Sequence, residues 1–223
     1  MHFVVMVVGD DYEAQLAPYD ENDRYDYESA EEELAYYQDL ENEMGRPVLD
    51  QLKEESCYVQ MTEAEFNALP KKQASTRKNN LDVYTVNDFG GVTGLYHAYN
   101  PNAKWDWYKI GGRWQDLFLF KDGKRHTASC AKKLYDFDAM RQACRAKAAK
   151  EWEAQHDKDS DPKEREAFIE EECRYAIPCY AILDSTGWSD RVHSGCDDWA
   201  EHIREYIDKL DDNTVLTFVD YHI

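Results

Sequence analysis

The middle of the chain holds the densest group of side chains able to bind a ligand, in the fifteen residues from Asn100 to Trp114. This segment contains three of the six tryptophans, and Lys104, Asp106 and Arg113 lie among them. Aromatic rings stack on planar or sugar-like ligands, and a guanidinium binds carboxylate or phosphate through paired hydrogen bonds. Gly111-Gly112 permits a sharp turn or the close approach of another group. The predicted pocket comprises Lys104, Trp105, Asp106, Trp107, Tyr108, Arg113 and Trp114.

The same composition also fits a purely structural role. Tryptophan buries a large apolar area, and its ring N–H needs a partner once it is buried. In this alternative the segment is a tightly packed corner in which Arg113 pairs with Asp106. The sequence alone leaves both interpretations open.

A second group of reactive side chains lies in Asp220-Tyr221-His222-Ile223. Alternate residues of a strand share a face, so we expect Asp220 and His222 to lie side by side. A carboxylate beside an imidazole can orient it for acid–base chemistry or for a metal. His2 joins this pair if the first and last strands are neighbours. A histidine that is exposed and idle, or hydrogen-bonded in the core, is the alternative interpretation.

The charge is distributed very unevenly along the chain, whose net charge is −20. Residues 9–45 hold fourteen acids and one base, whereas residues 104–150 hold twelve bases and five acids. Regularly spaced carboxylates can imitate a phosphate backbone and steer association with a basic groove. The alternatives are a solvated acidic face, or acidic flanks that fold over the basic middle and neutralise it. The candidate acidic face comprises Glu31, Glu32, Glu33, Asp39, Glu41 and Glu43.

Several function classes find no support in the sequence. A surface of this charge repels free nucleic acid, so direct binding to it is not expected. The chain has no Gly-rich phosphate loop and no GxSxG or CxxC motif. Cys173, Cys179, His193 and Cys196 are zinc-ligand types at irregular spacing, and buried free thiols are the preferred interpretation. We therefore expect a cytoplasmic protein without cofactor, metal or membrane contact, and the oligomeric state stays open.

Hydrophobic periodicity and cap signals predict the elements that position these residues. A polar loop is expected after the first strand, and Ser29 and Asp138 are expected to cap helices. Hairpin signals outnumber βαβ signals, so the predicted fold is α+β with a mostly antiparallel sheet. We expect one domain over residues 1–223, with a possible weak domain boundary near 71–80. The predicted strands are 2–8, 57–61, 81–86, 92–99, 114–120, 179–184, 188–193 and 214–219. The predicted helices are 30–44, a short one opening at Thr62, 139–156, 161–173 and 198–210.

The chain resembles a set of uncharacterised phage and bacterial proteins. The resemblance is carried by a first strand of HFxVxVxG type (His2 to Gly9), a QLAPY stretch (Gln15 to Tyr19), a KWDWYxIGGRW block (Lys104 to Trp114) and a DxHI tail (Asp220 to Ile223). It implies a phage or mobile-element setting and no particular chemistry.

Two functions follow as hypotheses. The first is a binding protein rather than an enzyme, whose acidic face engages a basic host protein of a defence or nucleic-acid-handling complex. The second is a protein or enzyme for a nucleotide- or sugar-like ligand, with a pocket formed by the tryptophan-rich segment together with Asp220 and His222.

Overall fold

A computed structural model describes residues 1–24, 26–55, 57–69, 81–156 and 161–223. The prediction of an α+β fold with mostly antiparallel sheets is confirmed, since six of the eight strand pairs among these residues are antiparallel. The chain divides into two compact units. The first unit comprises Met1–Ala17 and Trp107–Ile223, and the second comprises Pro18–Asp106. The single domain stays a prediction, and the boundary expected at 71–80 lies outside the described residues.

The strands are β1 (His2–Val8), β2 (Asp26–Ser29), β3 (Tyr58–Thr62), β4 (Asp82–Val86), β5 (Val92–Tyr99), β6 (Trp107–Ile110), β7 (Ser129–Ala131), β8 (Ala181–Asp184), β9 (Gly187–Asp190) and β10 (Val215–His222). The α-helices are α1 (Tyr12–Leu16), α2 (Glu31–Met44), α3 (Val48–Glu54), α4 (Glu63–Asn67), α5 (Phe137–Gln155), α6 (Pro162–Arg174) and α7 (Trp199–Lys209). Short 3₁₀ helices occupy Ala17–Tyr19, Gly112–Leu117 and Lys132–Leu134.

The first unit is built on a sheet of order β6-β10-β1-β8-β9, with β7 also paired to β10. The β-branched run of β1 lies between β10, which is antiparallel to it, and β8, which is parallel. Alternate residues of these strands share a face, so Met6 and Phe218 enter one core with Met140 of α5 and Ile203 of α7. The candidate site lies on the same face of this sheet.

The long helices α5, α6 and α7 of the first unit lie where helices are predicted. Met140, Cys144, Ala148 and Trp152 recur every four residues along α5, and all of them are buried except Cys144, which is half-buried. Asp161 and Pro162 begin α6 as predicted, because the aspartate caps the helix and proline has no N–H to lose there. The cap of α5 is Asp136 rather than Asp138, since the Asp136 side chain accepts the Ala139 N–H.

The second unit is built on a four-stranded sheet of order β2-β5-β4-β3. Leu52 of α3, Tyr84 of β4 and Leu95 of β5 form its core, and Leu34 and Tyr37 of α2 pack against that core. No residue of α2 is buried, so this helix lies on the surface of the second unit. The predicted capping box at Thr62 is confirmed.

Three further local predictions are wrong. Ser29 ends β2 opposite Tyr96, so strand pairing holds it and α2 begins after Ala30 without a side-chain cap. The stretch after Gly9 is not all loop, because Asp11 caps the short helix α1. Residues 114–120 are not a strand. Gly111 and Gly112 have φ of 67° and 46°, and this turn carries the chain out of the sheet into the 3₁₀ helix Gly112–Leu117.

Candidate functional site

The candidate site is centred on Asp220, the carboxylate that follows Phe218 on the core face of β10. Asp220 is only 2% exposed. Its Oδ1 lies 2.9 Å from His2 Nδ1, and its Oδ2 accepts the backbone N–H of Arg113 at 3.0 Å. A buried carboxylate is costly unless it is paired and hydrogen-bonded, and both oxygens here have such partners.

The Gly111-Gly112 pair is what brings an N–H group to this carboxylate. The Gly111 N–H donates to the Phe218 carbonyl at 2.8 Å, which ends the pairing of β6 with β10. A Cβ on Gly112 would lie 2.2 Å from Asp220 Oδ2, closer than any real contact. The sequence-based expectation that the pair permits a close approach is therefore confirmed, and the approaching group is Asp220.

Two histidines and a tryptophan form a row across three strands beside Asp220. His222 of β10 is the register partner of both His2 on β1 and Trp107 on β6. The ring centroids of His2 and His222 are 4.9 Å apart, and those of His2 and Trp107 are 6.0 Å apart with an edge-on geometry. Trp107 is 47% exposed, so a large part of its ring faces solvent. We name His2, Trp107, Arg113, Asp220 and His222 the His2–Asp220 cluster.

Arg113 gives the cluster an anchored cation. Its Nε lies 3.6 Å from Asp220 Oδ2, and its guanidinium lies over the Trp114 ring at 5.6 Å from the centroid. The side chain is still 54% exposed, and its terminal nitrogens have no other ion pair or hydrogen bond in the described part of the chain. Lys109, exposed on β6, is the register partner of Asp220 and shares its sheet face. This face therefore carries more basic groups than acidic ones.

The residues of the predicted pocket are distributed over both units. Trp107, Arg113, Asp220 and His222 meet in the first unit, whereas Lys104, Trp105 and Asp106 belong to the second. Trp105 is buried there, and its backbone N–H and that of Lys104 reach the Tyr19 carbonyl.

The remaining predicted residues of the segment lie beside the cluster rather than in it. Tyr108 is the register partner of Tyr221, on the opposite face of the sheet from Asp220, and Trp114 packs against the core. Within the first unit, Arg113 forms an ion pair with Asp220. Lys109 is not among the residues predicted from the sequence. It lies two residues after Trp107 in β6, and alternation along a strand places both on one sheet face.

Pairing of a carboxylate with an imidazole does not by itself identify a functional site in this protein. His97 pairs with Glu33 and Asp82, His126 with Asp122, and His193 with Asp190. The His2–Asp220 cluster differs because a second imidazole, an anchored guanidinium and a half-exposed indole surround its pair.

No protein-family model, curated protein or solved structure matches this chain.

The candidate acidic face on α2 is smaller than the sequence indicates. Glu33 accepts hydrogen bonds from the Tyr58 hydroxyl at 2.8 Å and lies 2.7 Å from His97 Nε2. Glu41 accepts the Val48 N–H at 3.2 Å. These two carboxylates thus stabilise the second unit. The other four, which pair with no lysine or arginine in the described residues, are Glu31, Glu32, Asp39 and Glu43.

The cysteines and the remaining predicted site types give no second candidate site. Burial raises the pKa of Cys179 to about 12, and burial together with Cys173 raises the pKa of Cys144 to about 11, so neither thiol is activated. The described ranges contain no cluster of three histidine, cysteine, aspartate or glutamate side chains arranged to hold a metal. Within the same ranges, no helix has both the length and the apolar character of a membrane span.

Proposed function

We propose that the first unit binds a small anionic ligand with a planar ring, such as a nucleotide, at the His2–Asp220 cluster. The observation that carries this proposal is that the Arg113 side chain is anchored at one end and exposed at the other. Asp220 anchors this side chain through Nε and through the backbone N–H, while the terminal guanidinium nitrogens stay exposed and have no acceptor in the described chain.

The charges around Arg113 favour an anion as ligand. Lys109 shares the sheet face, His2 and His222 add two imidazoles, and the one carboxylate of the cluster is already satisfied. A phosphate bound by the outer edge of a guanidinium forms charge-assisted hydrogen bonds, which are about twice as strong as neutral ones.

The indole of Trp107 supports a ligand that also has a planar ring. Its ring is 47% exposed although it lies in a paired strand beside the core. An exposed indole stacks on a base and contributes about 1–3 kcal/mol of binding free energy. The net charge of −20 opposes a long polyanion, so the proposed ligand is a mononucleotide or dinucleotide rather than a nucleic acid chain.

Calorimetric titration of the whole chain with AMP, GMP, CMP and UMP tests this proposal. We expect at least one to bind, and Arg113→Ala to weaken it by about 10- to 100-fold. Arg125→Ala is the matched control, because Arg125 pairs with Asp116 at 2.7 Å on an exposed surface outside the cluster. The matching nucleoside, which lacks the phosphate, should bind more weakly. Equal affinities for the Arg113 and Arg125 variants would contradict the proposal.

A second candidate function is binding of a basic host protein through α2, in the cytoplasmic phage or mobile-element setting that the resemblance implies. One observation favours it. The carboxylates of Glu31, Glu32, Asp39 and Glu43 pair with no lysine or arginine in the described residues, so they remain available to basic side chains of a partner.

Capture from host lysate at low and high salt tests the second candidate. A variant with those four residues changed to lysine should lose the captured protein. The control variant Glu164→Lys, Glu170→Lys, Glu172→Lys, Asp208→Lys changes the net charge equally on exposed positions of α6 and α7. Retention by the first variant, or equal loss from both, would contradict a role for α2.

A further inference from the structure

The two imidazoles of the His2–Asp220 cluster are chemically different. His2 Nδ1 lies 2.9 Å from Asp220 Oδ1, and because a carboxylate oxygen only accepts, Nδ1 carries the proton. The lone pair of a neutral His2 is therefore on Nε2, on the side of the ring away from the carboxylate. His222 lies beside His2, with its ring centroid 4.9 Å from that of His2.

We propose that His2 and His222 act as the base and the acid of a phosphodiester cleavage in which the ribose 2′-hydroxyl of the ligand is the nucleophile. This inference rests on the proposed nucleotide site and adds a reaction to it. The substrate class is a small ribonucleotide diester, such as a ribodinucleoside monophosphate.

The reaction balances without any further reactant. His2 Nε2 takes the proton of the 2′-hydroxyl while the 2′-oxygen forms a bond to phosphorus. The bond from phosphorus to the 5′-oxygen breaks, and the His222 imidazolium gives its proton to that leaving oxygen. The products are a 2′,3′-cyclic phosphate and a free 5′-hydroxyl. Proton exchange with water then restores a neutral His2 and a protonated His222.

The residues of the cluster favour this chemistry over nucleophilic catalysis by the protein. The cluster contains no serine, threonine or cysteine, so the attacking oxygen must come from the ligand or from water. The exposed guanidinium of Arg113 is placed to bind the phosphoryl oxygens, on which negative charge develops. Asp220 is a positioning residue, because it acts by holding His2 in one tautomer.

The experiment incubates the whole chain with ribodinucleoside monophosphates covering the four bases and follows the 2′,3′-cyclic product by chromatography. The 2′-deoxy counterparts, which cannot form this product, measure binding separately. We expect His2→Ala and His222→Ala each to lower cleavage by about 10²- to 10⁴-fold, and to weaken binding of the deoxy compound much less, by under about 10-fold.

A matched control exists on the same unit. His193 Nδ1 lies 2.8 Å from the buried Asp190 carboxylate, yet neither residue belongs to the cluster, so His193→Ala should cleave like the wild type. Asp220→Asn should lower cleavage more than binding. If Asp220 had a purely structural role, the variant would lower cleavage, binding and the melting temperature together. If that variant does not fold, the two histidine variants still decide the question.

The pH profile gives an independent readout. One imidazole must be neutral and the other protonated, so the cleavage rate should be bell-shaped in pH. In the described part of the first unit, Asp220 contacts His2 directly, and Arg113 and, by register, Lys109 lie beside Asp220. Binding of the deoxy compounds without cleavage of the ribo compounds overturns this inference and leaves the nucleotide site standing. Absence of binding overturns both.

Discussion

Gly112 lies against the side chain of Asp220 so closely that a Cβ there would be 2.2 Å from Oδ2 and 2.3 Å from the Asp220 Cβ. The second of these atoms cannot swing away, because it is attached directly to the backbone of β10. The Gly-Gly pair in the tryptophan-rich segment is thus a packing requirement of the cluster. It allows the N–H of Arg113 to reach a carboxylate in a neighbouring strand.

Gly112→Ala should be strongly destabilising. A φ of 46° disfavours alanine, and the methyl group would overlap with Asp220 as well. We expect a loss of more than about 3 kcal/mol in the free energy of unfolding, measured by urea denaturation. Gly123→Ala is the control, since Gly123 has a φ of 70° and open space around it, and it should cost only about 1 kcal/mol. Similar losses for the two variants would show that the contact with Asp220 is unimportant.

Glu33 and Glu32 should differ although they are adjacent in the first turn of α2. Glu33→Ala removes the hydrogen bond to Tyr58 and the pairing with His97, so we expect it to cost about 1–2 kcal/mol. Glu32→Ala removes an exposed carboxylate with no hydrogen bond or ion pair in the described chain and should change stability by less than about 0.5 kcal/mol. Thermal melting of both variants measures the difference, which is expected to vanish if Glu33 is only a surface charge.

Asp184 should make part of the stability dependent on acid pH. Burial alone would raise its pKa, but hydrogen bonds from Thr186 and Tyr206 outweigh burial and hold the pKa below the ordinary value of 3.8. A lowered pKa stabilises the fold fully above the unfolded value, and this contribution is lost as the pH falls through the folded value. Asp184→Asn should therefore destabilise the protein more at about pH 6 than below pH 3.8.

The comparison for Asp184 is Tyr206→Phe, which removes the hydroxyl that donates to Asp184 Oδ2 at 2.5 Å. Denaturant unfolding at several pH values should show the same direction of pH dependence, with a smaller amplitude. A difference from the wild type that does not change with pH would argue against the role of this carboxylate.

The cysteines should react with iodoacetamide at very different rates in the folded protein. At about pH 8 a thiol with a pKa of about 12 is ionised to only about one part in 10⁴, so Cys179 should be modified last. Cys57 is exposed, and although partial burial raises the pKa of its thiol, it should be modified well before Cys179. Mass spectrometry of tryptic peptides after timed quenching measures the order. Rapid modification of Cys179 would show that its surroundings open readily.

The sequence predicted those elements whose signals agree locally. The predicted strand 2–8 and the predicted helices 161–173 and 198–210 each appear in the structure, as β1, α6 and α7. Ser29 was mistaken for a helix cap because pairing with β5 takes precedence over a local signal. The apolar alternation after Trp114 is typical of a strand, but the positive φ angles of Gly111 and Gly112 turn the chain out of the sheet. A hydrophobic pattern does not show such a turn.

The candidate site was only partly predictable for a similar reason. Asp220 and His222 share a face by simple alternation, and that expectation is met. Their contact with Arg113 and Trp107 depends on the pairing of β10 with β6. This pairing joins segments far apart in the sequence, so no local pattern predicts it. Lys104 and Trp105 are close to Trp107 in the sequence but belong to the other unit, and no local pattern marks the boundary between the units.

The central place of β1 has a consequence for the order in which the protein folds. Both of its neighbours, β8 and β10, are synthesised much later, after residues 18–106 have been completed. The second unit can therefore complete its sheet during translation. Until β8 and β10 have been synthesised, β1 remains an unpaired apolar segment that is prone to aggregation. His2 and Asp220 are separated by 218 positions, so their contact forms only once β10 has left the ribosome. Binding at the cluster should thus be absent from nascent chains that stop before β10, even where the second unit is already folded.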